Sequence, residues 1–375
     1  MHNNNVFIHK LIKAIADSLI KVFIPLYILK KTNDINMAML YLILFSSFVM
    51  LFMTVLKKFI QRYSLISIII HFIPTIIAMY LLSFNQINIY LIIFAAILMA
   101  LSQTLYSVPI NILFTFSDAK ANVCKFEIPT NIGKLIFTLC SGLLLANNKI
   151  NSFLILSSIA AFLYICSIIP LIISYKEIEF HYQDKNELTN KVKISKWFII
   201  FHITFGLFQP VMDNIIPLYL YINNLSFESV TIIIVLIELI KIFMNYFANI
   251  LIKHNKEILS AIIGSIMFFI SAILMLIFKN KVLLYITSTT CSITFPLVFV
   301  IMFKKYCLNL SKNNNVFYGL TKRDLDIFSF RPLLYSLSFI GLGLYPTIIM
   351  GICSIPLMIL SEIKILKPKK KMHIN

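Results

Sequence analysis

The first apolar stretch of the chain places Lys10, Lys13, Asp17 and Lys21 at spacings of three and four, so all four share one helical face. A later stretch sets out His202, Gly206, Gln209 and Asp213 in the same way, and a third carries Glu238, Lys241, Asn245 and Asn249. Lys134 and Arg331 each lie inside an apolar run, and Gln103 falls among Ser102, Ser107 and Asn111 in another. An ionisable group at the centre of a membrane helix costs about 2.5–3.5 kcal/mol, so each of these residues needs a partner or a wet cavity. The carboxylates Asp17, Asp213 and Glu238 could take up and release a coupling proton. Lys21, Lys134, Lys241 and Arg331 could hold an anion, and the guanidinium fork suits carboxylate or phosphate. Simpler readings compete: Asp17 with Lys21 and Glu238 with Lys241 as neighbours on one helix, and Lys134 and Arg331 snorkelling to headgroups.

Other chemistries leave no trace. There is no P-loop, GxSxG or HExxH pattern, and no His/Cys cluster has metal-ligand spacing. No enzyme activity, cofactor or metal centre is expected. The six cysteines form no CxxC pair and read as small buried residues. His71, with no acid nearby in sequence, reads as a packed histidine rather than a proton relay.

The elements that must hold these residues are membrane helices. The chain of 375 residues is 59% hydrophobic and 13% charged. Its mean hydropathy is +0.90. A spanning helix needs about 20 apolar residues. The pattern predicts twelve: 8–29, 37–56, 64–84, 88–114, 128–147, 152–174, 197–222, 229–252, 258–278, 282–303, 325–342 and 344–361. The net charge of +18 forms no single basic face, which excludes nucleic acid as the partner. Lysine and arginine gather instead in alternate connections, from Lys57, Lys58 and Arg62 to the tail at Lys367, Lys369, Lys370 and Lys371. The intervening connections hold only Lys30, Lys31, Lys149, Lys279 and Lys281. That bias places both termini in the cytoplasm and the basic tail against lipid headgroups. A lysine-rich, Ile- and Asn-rich composition fits a bacterial plasma or inner membrane.

The chain also reads as a duplication. Ile24-Pro25-Leu26-Tyr27-Ile28 recurs as Ile216-Pro217-Leu218-Tyr219-Leu220, which sets Lys21 against Asp213 and Asp17 against Gln209. Glu127 and Lys134 have the same spacing as Asp324 and Arg331, a second correspondence, between the fifth and eleventh helices. A polar cytoplasmic stretch, 175–196, divides residues 1–174 from 197–375. Two parallel six-helix halves, a central linker and cytoplasmic termini resemble the major facilitator superfamily. The family's Gly- and Asp-containing basic motif is missing from the second connection, Leu56 to Ser64, where only its basic residues stand.

The resemblance implies an all-α integral membrane protein of two pseudo-symmetric six-helix bundles. It implies a secondary active transporter that moves a small solute by alternating access and is driven by an ion such as H+. It further implies that Asp17, Lys21, Gln209 and Asp213 face one another across a central cavity. The opposite charges at repeat-equivalent positions predict that Lys21 and Asp213 form an ion pair between halves that changes between inward- and outward-open states. The cationic excess favours an anionic or zwitterionic substrate. The other reading is a non-transporting sensor or scaffold of the same fold.

Overall fold

A computed structural model describes residues 2–84, 86–118, 123–147, 152–173, 194–254, 256–277, 280–291, 293, 295–312 and 316–366. Most of the 175–196 linker and the basic tail lie outside these residues. Among the described residues the chain is a succession of twelve helical segments. The first half comprises α1 (His2–Ile20, a 3-10 turn Lys21–Phe23, then Ile24–Thr32), α2 (Ile35–Val55), α3 (Ser64–Leu82), α4 (Ile89–Asp118), α5 (Val123–Ala146) and α6 (Ser152–Ile173). The second comprises α7 (Lys196–Ile222), α8 (Phe227–Lys253), α9 (Glu257–Ile277), α10 (Lys281–Cys291, then Phe295–Val300 and Ile301–Lys312), α11 (Val316–Phe328, Arg331–Leu337 and Ser338–Leu342) and α12 (Tyr345–Leu366). Seven of these segments are long and apolar enough to cross a membrane by themselves.

The duplication is visible in the helix register. The starts Ile35 and Phe227, Ser64 and Glu257, Ile89 and Lys281, Val123 and Val316, and Ser152 and Tyr345 are each 192 or 193 residues apart. Asp34 caps α2 by accepting from the Asn36 N–H, and Ser226 caps α8 by accepting from the Ser229 N–H. Tyr27 stacks on Phe153 at 4.1 Å, and their repeat equivalents, Tyr219 and Tyr345, meet edge to face at 5.6 Å.

Both α1 and α7 break immediately before the repeated Ile-Pro-Leu-Tyr sequence. Proline has no N–H to donate, and its ring crowds the carbonyl four residues back, which is that of Lys21 or Asp213. In α1 the backbone tightens, and the Ile24 N–H bonds the Lys21 carbonyl. In α7 it widens into a π-turn, Val211–Ile215, and the Ile216 N–H bonds the Val211 carbonyl. One sequence signal therefore produces two different local repairs.

Two expectations need correction. The eleventh helix begins at Val316 rather than 325, and the tenth runs on to Lys312 rather than ending at 303. The charges that argued against helix there are paired within it: Lys322 reaches Asp326 at 2.8 Å, and the Arg323 Nε donates to Asp324 at 2.7 Å. The longer α11 also resets the repeat. With Val123 matching Val316, Lys134 aligns with Ile327, so Lys134 and Arg331 are not equivalent positions.

The first six helices pack together, α1 against α5 and α6 and α4 against α2 and α3. The last six do likewise, α7 against α11 and α12 and α9 against α10 and α12. The bundles meet chiefly along two seams, α5 against α8 and α2 with α4 against α11, and α1 also touches α7 and α4 touches α10. Glycine permits the closest approaches. A Cβ on Gly142 of α5 would lie 2.2 Å from the Thr231 methyl of α8, and one on Gly206 of α7 would lie 2.1 Å from the Ile327 carbonyl oxygen of α11.

Candidate substrate and coupling site

In the first bundle, residues four apart on α1 build a polar column. Lys13 and Lys21 both pair with Asp17, at 2.5 and 2.9 Å. The Tyr164 hydroxyl of α6 donates to the same carboxylate. The Lys13 ammonium stands 4.0 Å above the Tyr106 ring of α4, and that of Lys21 is 5.4 Å from the Tyr164 ring. Lys134 approaches from α5 closely enough to repel Lys13. Gly133 permits this, because a Cβ there would sit 3.0 Å from Ile15 of α1.

Two histidines complete the column. His9 hydrogen-bonds the Ser167 carbonyl through Nδ1 at 2.7 Å, and His71 the Ile68 carbonyl at 2.5 Å. Both are fully buried beside the Tyr106 ring. His71 is packed, as its sequence setting predicts, but it packs inside the charged cluster. His9, Tyr106 and Tyr164 were not singled out in sequence. His9 was legible as the residue four before Lys13, whereas nothing in the spacing marks the tyrosines.

In the second bundle, the polar face of α7 lies on α11. His202 Nδ1 is 4.0 Å from Asp326, Gly206 meets Ile327, and Gln209 accepts from the Arg331 guanidinium at 2.8 Å. Gln209 then donates to Asp213 at 3.1 Å, so one amide bridges a cation and a carboxylate. Arg331 is buried, lies 4.3 Å above the Phe328 ring and leaves its Nε without a partner. Asn214, next to Asp213, donates to the Tyr335 hydroxyl at 3.0 Å.

In this structure Lys21 and Asp213 each find partners within their own bundle. Lys21 is paired with Asp17, not Asp213, because a residue one turn away on its own helix is the nearer anion. Lys134 and Arg331 belong to different bundles' networks. Glu238 and Lys241 pair with each other on α8 at 3.0 Å. Gln103 is half-buried on α4, one turn before Ser107.

Both ends of the bundle interface are bridged. At the end where α1 begins, Ser107 of α4 donates to Asp324 of α11, and the Lys57 ammonium lies 4.8 Å from the Tyr318 ring. At the far end Phe23 stacks on Phe227 at 5.9 Å, and Lys30 reaches the same ring at 4.7 Å while donating to the Leu145 carbonyl.

Twelve helical segments among the described residues, in two repeated bundles that each hold charge away from lipid, define an integral membrane transporter. The chain belongs to the Major Facilitator Superfamily, whose family model matches residues 6–321. Two solved structures share the fold. Both are of a bacterial homologue of the iron transporter ferroportin in the outward-facing state, one of them with soaked iron. Each superposes with a TM-score of 0.69 over 97% of this chain and 99% of the other, at 11% and 10% identity. No curated protein matches the chain.

Proposed function

We propose that this transporter is a secondary active one, carrying a small anionic or zwitterionic solute by alternating access and drawing on an ion gradient, with H+ as the coupling ion. The observation that supports it is the pair of helix breaks at Lys21 and Asp213. Each puts a charged side chain beside an interrupted backbone at the same point of a repeat, the arrangement from which transporters build midplane sites. The α5–α8 and α2–α11 seams would open in turn. Asp17, Asp213 and Glu238 are the proton-coupling candidates. Lys21, Lys134, Lys241 and Arg331, with Gln103 and Gln209, are the substrate candidates. The bias of lysine and arginine places the termini and the 175–196 linker in the cytoplasm, with residues 1–174 and 197–375 as the two halves.

The test is uptake of labelled solutes into proteoliposomes under an imposed pH gradient, with iron included because one fold neighbour was solved with soaked iron. At least one solute should accumulate, and both Asp213→Asn and Arg331→Ala should abolish the accumulation. Ligand binding without flux in any gradient would instead favour a sensor of the same fold.

A further inference from the structure

The column on α1 carries more positive charge than it can neutralise. Asp17 already accepts from Lys13, Lys21 and Tyr164. Lys134 adds a third ammonium that repels Lys13 and forms no ion pair among the described residues. Two lysines sharing one carboxylate, with the Lys134 ammonium repelling one of them, leave a surplus of positive charge between helices that an added anion would relieve.

A second observation specifies the anion. A carbonyl oxygen can only accept, so Nδ1 of His9 and of His71 must each carry the proton. The Nε2 atoms are then bare acceptors, and both are buried without a partner. Orphaned buried acceptors call for a donor.

We infer that this column is the binding site for a small oxyanion that retains a hydrogen-bond donor: a hydroxycarboxylate, or phosphate in its protonated form. Lys21 and Lys134 hold the anionic oxygens, and His9 or His71 accepts from the hydroxyl. Asp17 and Lys21 keep about a quarter and a fifth of their side-chain surface accessible. A bare divalent cation would satisfy the imidazoles but would add to the charge surplus. The inference names a substrate class for the proposed transporter and rests on that reading.

The experiment is a thermal-shift and calorimetric titration of the full chain in lipid nanodiscs with inorganic phosphate, lactate, acetate and cobalt chloride. Phosphate and lactate should bind, lactate more tightly than acetate because acetate lacks the donor. Lys134→Gln should raise the melting temperature of the unliganded protein, by removing an unpaired cation, while weakening phosphate and lactate binding at least about tenfold. His71→Phe should erase the preference for lactate over acetate. Absence of binding by phosphate and lactate, binding that survives Lys134→Gln, equal affinity for lactate and acetate, or binding by cobalt instead would each overturn the assignment. If the anions fail while spin-label distances across the two seams still alternate, only the substrate class falls and the transporter reading stands.

Discussion

Ser107 on α4 donates its hydroxyl hydrogen to Asp324 on α11, and that bond ties the two bundles together at the end where the chain begins. Arg323 braces the same carboxylate from the neighbouring position, so the acceptor is fixed before the bundles meet. Ser107→Ala should remove the bridge and leave the Arg323 pairing intact. A hydrogen bond to a charged group contributes about 1.5–3 kcal/mol. Closure at this end should therefore weaken by roughly 10- to 100-fold in population. Alkylation of a cysteine placed at Lys57 should accelerate accordingly, and an unchanged rate would show that the bond does not hold the seam.

Two glycines separate seam closure from stability. Gly206→Ala pushes a methyl into the Ile327 backbone within one bundle, and should lower stability by about 1–3 kcal/mol wherever the bundles stand. Gly142→Ala meets Thr231 of the other bundle, so separating the bundles relieves the clash. It should favour opening of the α5–α8 seam with less loss of stability. Melting curves together with labelling of Asn147 distinguish the two, and equal melting losses without a change in labelling would contradict the seam assignment.

Asp17→Asn strands Lys13, which is 7% exposed, and Lys21 without their anion. Removing one member of a buried pair costs roughly 3–5 kcal/mol, and the partial exposure of Asp17 puts the loss near the lower figure. Replacing Lys13 and Lys21 with methionine in the same protein should recover most of it. Failure to recover would mean that Asp17 acts chiefly through Tyr164.

Glu362 on α12 is 0% exposed, and the partner of its carboxyl oxygens is the Ser265 hydroxyl of α9, 3.4 Å from each. Glu362→Gln keeps the shape and the hydrogen bond and removes a buried carboxyl, so melting temperature should hold or rise. A marked drop would reveal a role for the charge that the packing does not show.

The sequence disclosed the helix count and the duplication, because apolar length acts locally and the Ile-Pro-Leu-Tyr motif recurs, whereas the breaks before Pro25 and Pro217 came only with the structure. It also marked Lys13, Asp17, Lys21, Gln209 and Asp213, since ionisable groups stand out against lipid-soluble surroundings. It misjudged α11, where Lys322, Arg323, Asp324 and Asp326 look like a connection until their pairing and burial are seen. That error carried into the match of Lys134 with Arg331. Tyr106 and Tyr164 were hidden for another reason: an aromatic residue in a membrane helix is ordinary, and only the packing of α4 and α6 on α1 turns these two toward charge. Partner choice was hidden as well, since Lys21 had acids available in both halves and distance decided for Asp17.

The most direct test of alternating access is pulsed-EPR distance measurement in nanodiscs across both ends of the interface. One label pair would sit at Arg62 and Lys322 and the other at Asn147 and Glu228, each pair spanning the two bundles. Two distance populations are predicted for each pair, with the long distance at one end accompanying the short distance at the other and the balance shifting with pH or bound solute. A single fixed distance at both ends under all conditions would contradict the transport mechanism proposed for this chain.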